Sequence, residues 1–293
     1  MSGHGVPAGP PATGAGRDLI LPQTRWVAVL VIPILASAFL MLYLGPEVTR
    51  DYFAWPIRPR MSAMMLGATY FTGVIYFATI LGCRRWHQVR LGLLPVALFA
   101  TLLGVATMLH WEKFTHANPQ FWLWAVLYTT LPVLLVAVWV HNERHARPCP
   151  AVAGEVHLGV GARALLAALG AGLTLLSAAL FLVPQLAVAQ WPWTLSPLTA
   201  RATAAELGLF GFFALEVAWV ARWSEVRSLL LPQLVSPLLF LGCIAASWGD
   251  FTPGSPATWV FVLFVVVVFA VGFPALYFPT EARRRRRLAD VGR

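Results

Sequence analysis

Eight apolar stretches, each close to twenty residues long, run through this chain near 26–45, 62–82, 92–110, 121–140, 162–184, 202–221, 229–247 and 257–278. About 20 apolar residues in a helix cross the ~30 Å hydrocarbon layer of a bilayer. A soluble fold has no way to hide eight of them. Apolar residues make up 59% of the chain and charged residues 11%, against about 25% charged in soluble domains. The expected fold is an all-α integral membrane protein with eight transmembrane helices. Gly and Pro interrupt several stretches, which bundled membrane helices tolerate.

The net charge is +9, and Lys113 is the only lysine. With the N-terminus inside, one side of the membrane holds Arg17, Arg25, Arg84, Arg85, Arg90, Arg144, Arg147, Arg163, Arg222, Arg227, the Arg283–Arg287 run and Arg293, sixteen in all. The other side holds Arg50, Arg58, Arg60, Lys113 and Arg201. This asymmetry predicts both termini in the cytoplasm of a bacterial inner membrane. It also assigns the basic surplus to anionic lipid headgroups, above all at the Arg283–Arg287 run, rather than to nucleic acid. Residues 1–22 are rich in Gly, Pro and Ala and are expected to form a disordered tail without signal-peptide character. The three cysteines form no CxxC pair and imply no disulfide framework.

The chain repeats itself. Arg85-Trp86-His87-Gln88-Val89-Arg90 followed by Leu93-Leu94-Pro95 returns 137 residues later as Arg222-Trp223-Ser224-Glu225-Val226-Arg227 followed by Leu230-Leu231-Pro232. At the same offset Trp111, Phe114, Thr115, Pro119 and Trp122 return as Trp248, Phe251, Thr252, Pro256 and Trp259. Upstream, Trp55-Pro56 is matched to Trp191-Pro192 and Gly73 to Gly211. Matches of Trp, Pro and Arg in register across loops predict two tandem four-helix repeats. An even number of spans per copy gives both copies one orientation, the parallel arrangement. The expected organisation is a tail (1–22), a first repeat (23–142), a cytoplasmic linker (143–160), a second repeat (161–280) and a basic C-terminal tail (281–293).

Residues shared by the copies suit a scaffold: Trp86, Arg90, Trp223, Arg227, Trp111 and Trp248 are expected as anchors at the membrane interfaces. Residues that differ are better candidates for chemistry. In the sixth stretch lie Arg201, Glu206 and Glu216. A carboxylate in hydrocarbon is costly if charged, so it is protonated, paired or turned to a wet cavity. That suits proton coupling or substrate binding, and it equally suits a hydrogen bond that specifies helix packing. The two glutamates are ten residues apart, about 15 Å along a helix, too far for one acid/base pair. Near the outer end of the third stretch, His110, Glu112 and His116 are potential metal ligands, although their spacing matches no metal motif. A polar loop at the membrane boundary explains them as well. No cofactor is predicted otherwise.

The run FAWPIRPRMSAMMLGATYF, with TMLHWEKFTH downstream, resembles a group of uncharacterised polytopic membrane proteins of actinobacteria and related bacteria. That resemblance covers most of the chain and implies no activity. The four-plus-four layout is also similar to haem A synthase. That family needs histidine ligands in both halves, whereas the second half here has no histidine in any span and the first has only His110 at a helix end. Three functional classes are expected: a transporter or small-molecule-binding protein with a site between the repeats, a non-catalytic subunit or assembly partner of a membrane complex, and a membrane enzyme using the outer His/Glu cluster.

Overall fold

The structure is a computed structural model and describes residues 18–146 and 152–291. Its long helices are α1 (Pro22–Phe39, with a π-helical end to Leu44), α2 (Arg60–Gly82), α3 (Leu93–Leu109) and α4 (Pro119–His145). They continue as α5 (Val160–Leu182), α6 (Pro197–Val220), α7 (Trp223–Gln233 and Ser236–Ala246) and α8 (Pro256–Val265, π-helical Val266–Gly272, Phe273–Val291). Among the described residues there is no β-strand beyond two isolated bridges. Seven of these rods are long and apolar enough to cross a membrane, which makes this a multi-pass membrane protein. The exception is α3, at 17 residues.

Local chemistry sets the boundaries. Proline opens α1, α4, α6 and α8, at the position where its missing N–H is not needed. The shortness of α3 traces to Gly92, which precedes it at φ +100. A side chain there would also strike Tyr76, 2.7 Å from the ideal Cβ. The position 137 residues later is Leu229, and there α7 runs on as a helix from Trp223. Pro232 lies just before the break in α7. Gln233 and Ser236 stitch the break: Gln233 Nε2 donates to Thr72 O at 2.9 Å and Ser236 Oγ to Gln233 Oε1 at 2.7 Å.

The helices pack as pairs, α1 on α2, α3 on α4 and α5 on α6, with α7 against the π-helical part of α8. The pairs interlock reciprocally, α3 against α6 and α7 against α2. α5 and α6 approach closely at Gly170, where a Cβ would sit 2.8 Å from Gly211 O. Small residues let membrane helices meet this way.

Pairs of contacts recur in the two halves. At the Arg-rich end Ile20 N donates to Arg84 O (3.1 Å) and Trp86 N to Asp18 O (3.3 Å), while Leu158 N donates to Ala221 O and Trp223 N to Val156 O (both 2.9 Å). Trp86 Nε1 donates to Glu143 at 3.0 Å, and Trp223 Nε1 to Glu281 at 2.9 Å. At the opposite end Thr115 N bonds Ala54 O and Thr252 N bonds Pro192 O. There Trp55 meets Phe114 edge-on at 5.2 Å, and Trp193 meets Phe251 at 5.6 Å. The packing therefore sets Trp55 beside Trp193 in role, two residues on from the Trp191 of the sequence alignment.

Several expectations change. Asp18 to Leu21 belong to the fold, so the 1–22 tail is shorter than expected; residues 1–17 lie outside the described residues. The linker begins later than 143, since α4 runs to His145. The basic 281–293 segment is helical through Val291. Trp86 and Trp223 are 1% and 0% exposed. They are not surface anchors, because each indole N–H is held by a glutamate inside the bundle. Trp111 and Trp248 are exposed.

Glu155 ties the second of these corners together. It accepts from Ser224 N at 3.1 Å and Ser224 Oγ at 2.5 Å, and pairs with Arg222 at 3.4 Å. Burial alone would push its carboxyl up, but the Ser224 bonds and Arg222 outweigh burial and hold it below its ordinary value. A folded-state value below the unfolded one stabilises the corner above the unfolded pKa, and the stabilisation is lost as pH falls through the folded value. Amide exchange at Leu158 and Trp223, corrected for intrinsic rate, should therefore rise as pH drops below 4.5. Protection unchanged down to pH 3 or so would contradict this role for Glu155.

A candidate ligand groove at Glu206

Glu206 lies on α6, 6% exposed. Among the described residues its carboxyl has no hydrogen-bond or ion-pair partner. Tyr70, Tyr128 and Cys243 lie within electrostatic reach, but the two tyrosines are bonded to each other, hydroxyl to hydroxyl at 2.7 Å. A buried polar group without a partner costs stability, so its presence calls for a reason.

The reason is space. Glu206 lines a groove of about 620 Å³ between the α5–α6 pair and α8. Its walls are otherwise almost wholly apolar, with Phe210, Phe264 and Phe269 among them. Trp191 lines the groove too, and its indole N–H is buried without a partner. The groove thus offers one carboxyl within an apolar cleft. A second cavity, between the halves and beside the Tyr70–Tyr128 pair, is about 100 Å³. That is room for a few waters at about 30 Å³ each, while small-molecule sites run to about 300–1,000 Å³. The groove is large enough and the central cavity is not.

Local sequence explains why the groove is open. In the first half Asn142 on α4 bonds Thr24 on α1 and accepts from Leu21 N at 3.0 Å, drawing α1 against α4. At an offset of 138 the two positions are Ala162 and Thr280, and Ala162 lines the groove. The latch is missing there. The π-helical stretch Val266–Gly272 forms much of the opposite wall. From Trp124 to Glu143 is 19 residues and from Phe261 to Glu281 is 20, so α8 carries one extra residue where it forms the π turn. Single-residue insertions of this kind recur at functional sites.

The other expected site residues lie elsewhere. Arg201 does not pair with Glu206. Its Nε donates to Phe181 O at 3.1 Å, and its Nη1 meets His110 Nε2 at 2.6 Å. Arginine has no lone pair to offer, so Nε2 accepts and His110 is a neutral imidazole. His116 stacks on Trp111 with ring centroids 5.1 Å apart, and Glu112 is exposed. His110, Glu112 and His116 are not brought together as metal ligands, and no such group of three occurs among the described residues. Glu216 accepts from Gly92 N at 3.0 Å, satisfying the amide that precedes α3. It opens on a separate pocket near the Arg-rich end. The two glutamates therefore do not share one cavity between the halves.

Sequence reasoning passed over the carboxylates that hold the Arg-rich end. Glu225, 2% exposed, bonds Arg90 Nε at 2.5 Å and lies 3.6 Å from Arg222. Glu281 takes Trp223, Arg227 at 3.0 Å and Arg284 at 2.8 Å. At the opposite end, Asp250 caps α2 across the halves through Met61 N at 2.7 Å. These are short-range facts of packing with no motif. The Asn142 latch could have been found by asking which polar residues of one copy the other lacks.

Comparison with protein-family models, with curated proteins and with solved structures gave no match.

Proposed function

We propose that this chain is an eight-span protein of the bacterial cytoplasmic membrane, built as two tandem four-helix units of one orientation with both termini inside, and that it binds a membrane-dissolved small molecule in the Glu206 groove. Transport of that molecule is the activity such a site would serve. The observation that carries the reading is Glu206, a residue only 6% exposed whose carboxyl has no partner among the described residues, lining a 620 Å³ apolar groove. The ligand is apolar along most of its length and carries one group able to hydrogen-bond a carboxyl.

The recurring contacts at both ends and the reciprocal packing of α3 on α6 and α7 on α2 support the tandem architecture. At 17 residues α3 falls within the range of about 17–25 that a span requires. Arg201, Glu206 and Glu216 stand where the first unit has Ala63, Ala68 and Ala78, each at an offset of 138, so the second unit alone carries the polar groups. The sixteen-to-five Arg and Lys asymmetry supports the orientation. Arg283 and Arg286 are exposed and make no hydrogen bond or ion pair among the described residues, and they remain available to anionic lipid.

The test is native mass spectrometry of protein purified gently from its own host. The wild type should carry a small non-lipid molecule. Glu206→Gln should lower its occupancy about tenfold, the cost of roughly one hydrogen bond. Val267→Trp, at a half-exposed groove position, should remove it. A ligand indifferent to both substitutions would overturn the assignment of the site. A stoichiometric protein partner whose release empties the groove would instead support the subunit reading.

A further inference from the structure

A second pocket, of about 910 Å³, opens at the Arg-rich end between the halves. Arg90 and Trp139 come to it from the first half, and Arg163, Arg222, Glu216 and Glu225 from the second. Its charges are three arginines against two glutamates. Both glutamates are engaged within the protein, Glu216 with Gly92 N and Glu225 with Arg90 and Arg222.

Arg163 differs from the equivalent residue of the first half. Arg25, 138 residues earlier, uses both terminal nitrogens on backbone, Nη1 on Leu81 O at 2.9 Å and Nη2 on Cys83 O at 2.5 Å. Arg163 makes one bond, from Nε to Ala218 O at 3.1 Å. Among the described residues, both its terminal nitrogens are without a partner, in an exposed residue that lines the pocket. The walls beside it are apolar: Ala164, Ala167 and Leu215, with Trp219 at 86% exposure. A guanidinium fork with free N–H groups matches a phosphate. Apolar walls beside it match the chains of a lipid, and a basic pocket between helices at the cytoplasmic boundary is where anionic headgroups bind.

We propose that this pocket binds one anionic phospholipid of the adjoining leaflet, its phosphate held by Arg163 next to Arg222 and Arg90, its chains lying along α5 and Trp219. The lipid then bridges the two halves at a point where no protein bond from Arg163 does so. The proposal assumes the membrane reading but not the Glu206 ligand, and neither falls with the other.

The experiment places the full chain in nanodiscs of phosphatidylcholine with and without phosphatidylglycerol. It reads the unfolding midpoint and the lipid adducts released into the mass spectrometer. Phosphatidylglycerol should raise the midpoint and be retained about tenfold over phosphatidylcholine, as expected for one charge-assisted contact. Arg163→Gln should erase both effects, Arg163→Lys should keep part of them, and Arg50→Gln, exposed at the opposite end of the protein, should change neither. Ala164→Trp, filling the pocket from an exposed position, should also abolish retention. An unchanged Arg163→Gln protein would overturn the proposal, as would an equal loss in Arg50→Gln. An equal stabilisation by inorganic phosphate in phosphatidylcholine discs would also overturn it, by pointing to a soluble anion. If Arg163→Gln unfolds more easily in phosphatidylcholine alone, Ala164→Trp decides: retained phosphatidylglycerol there refutes the site.

Discussion

Glu206→Leu raises the stability of the empty protein by about 1–3 kcal/mol, the cost of a buried polar group without a partner, and abolishes ligand binding. The direction follows from what Glu206 touches. The residue is 6% exposed and its carboxyl makes no bond within the fold, so leucine removes a penalty without breaking a bond. Glu206→Gln keeps an unsatisfied polar head and should leave stability close to that of the wild type. Thermal unfolding in one fixed lipid composition, with the ligand first extracted, separates the cases. A leucine variant that unfolds earlier than the wild type would show that the carboxyl has a structural partner and would remove the main argument for the groove. The expected pattern, a gain in stability with a loss of binding, is the trade seen where a site is kept at the expense of the fold.

Glu225→Leu should do the opposite, lowering stability by about 3 kcal/mol, the lower part of the range for breaking a buried ion pair. Glu225 is as buried as Glu206 but engaged on two sides. It holds Arg90 from the first half and Arg222 beside it in the second. Both arginine side chains are less than a third exposed, at 29% and 28%, so removal leaves two poorly hydrated positive charges with one longer ion pair each, Arg90 to Glu143 and Arg222 to Glu155, both at 3.4 Å. Arg90→Met in the same background should restore part of the loss, because an apolar pair in the interior costs less than a charge that has lost its closest partner. A Glu225→Leu protein as stable as the wild type, or no coupling with Arg90, would show that the halves are held together by helix packing alone. The two substitutions are chemically identical and their opposite signs depend only on partners.

That contrast marks what could be read in advance. Glu206 and Glu225 look alike in the sequence except that Glu206 stands in an apolar run. The run made Glu206 a candidate, and Glu225 passed unnoticed inside an interfacial motif. Trp86 and Trp223 were misread for the same reason: an Arg-Trp pair at a helix end usually faces the headgroups, and nothing local reveals that Glu143 and Glu281 wait inside, 57 and 58 residues away. In the His110, Glu112 and His116 group, His110 is bound by Arg201 from another helix, a partner that nothing local to that loop reveals.

Hydropathy by itself determined the class of fold. Water and hydrocarbon are such different solvents that twenty apolar residues commit a segment to one of them without help from the rest of the chain. Proline at helix starts and Gly92 before α3 were likewise local, because backbone dihedrals answer to the residue in place. The tertiary structure alone decided which polar groups have partners and which are left over. That depends on distances between residues far apart in sequence, such as Thr24 and Asn142 in one half and their replacements Ala162 and Thr280 in the other. A groove is the space such missing partners leave, so it exists only once the helices have packed.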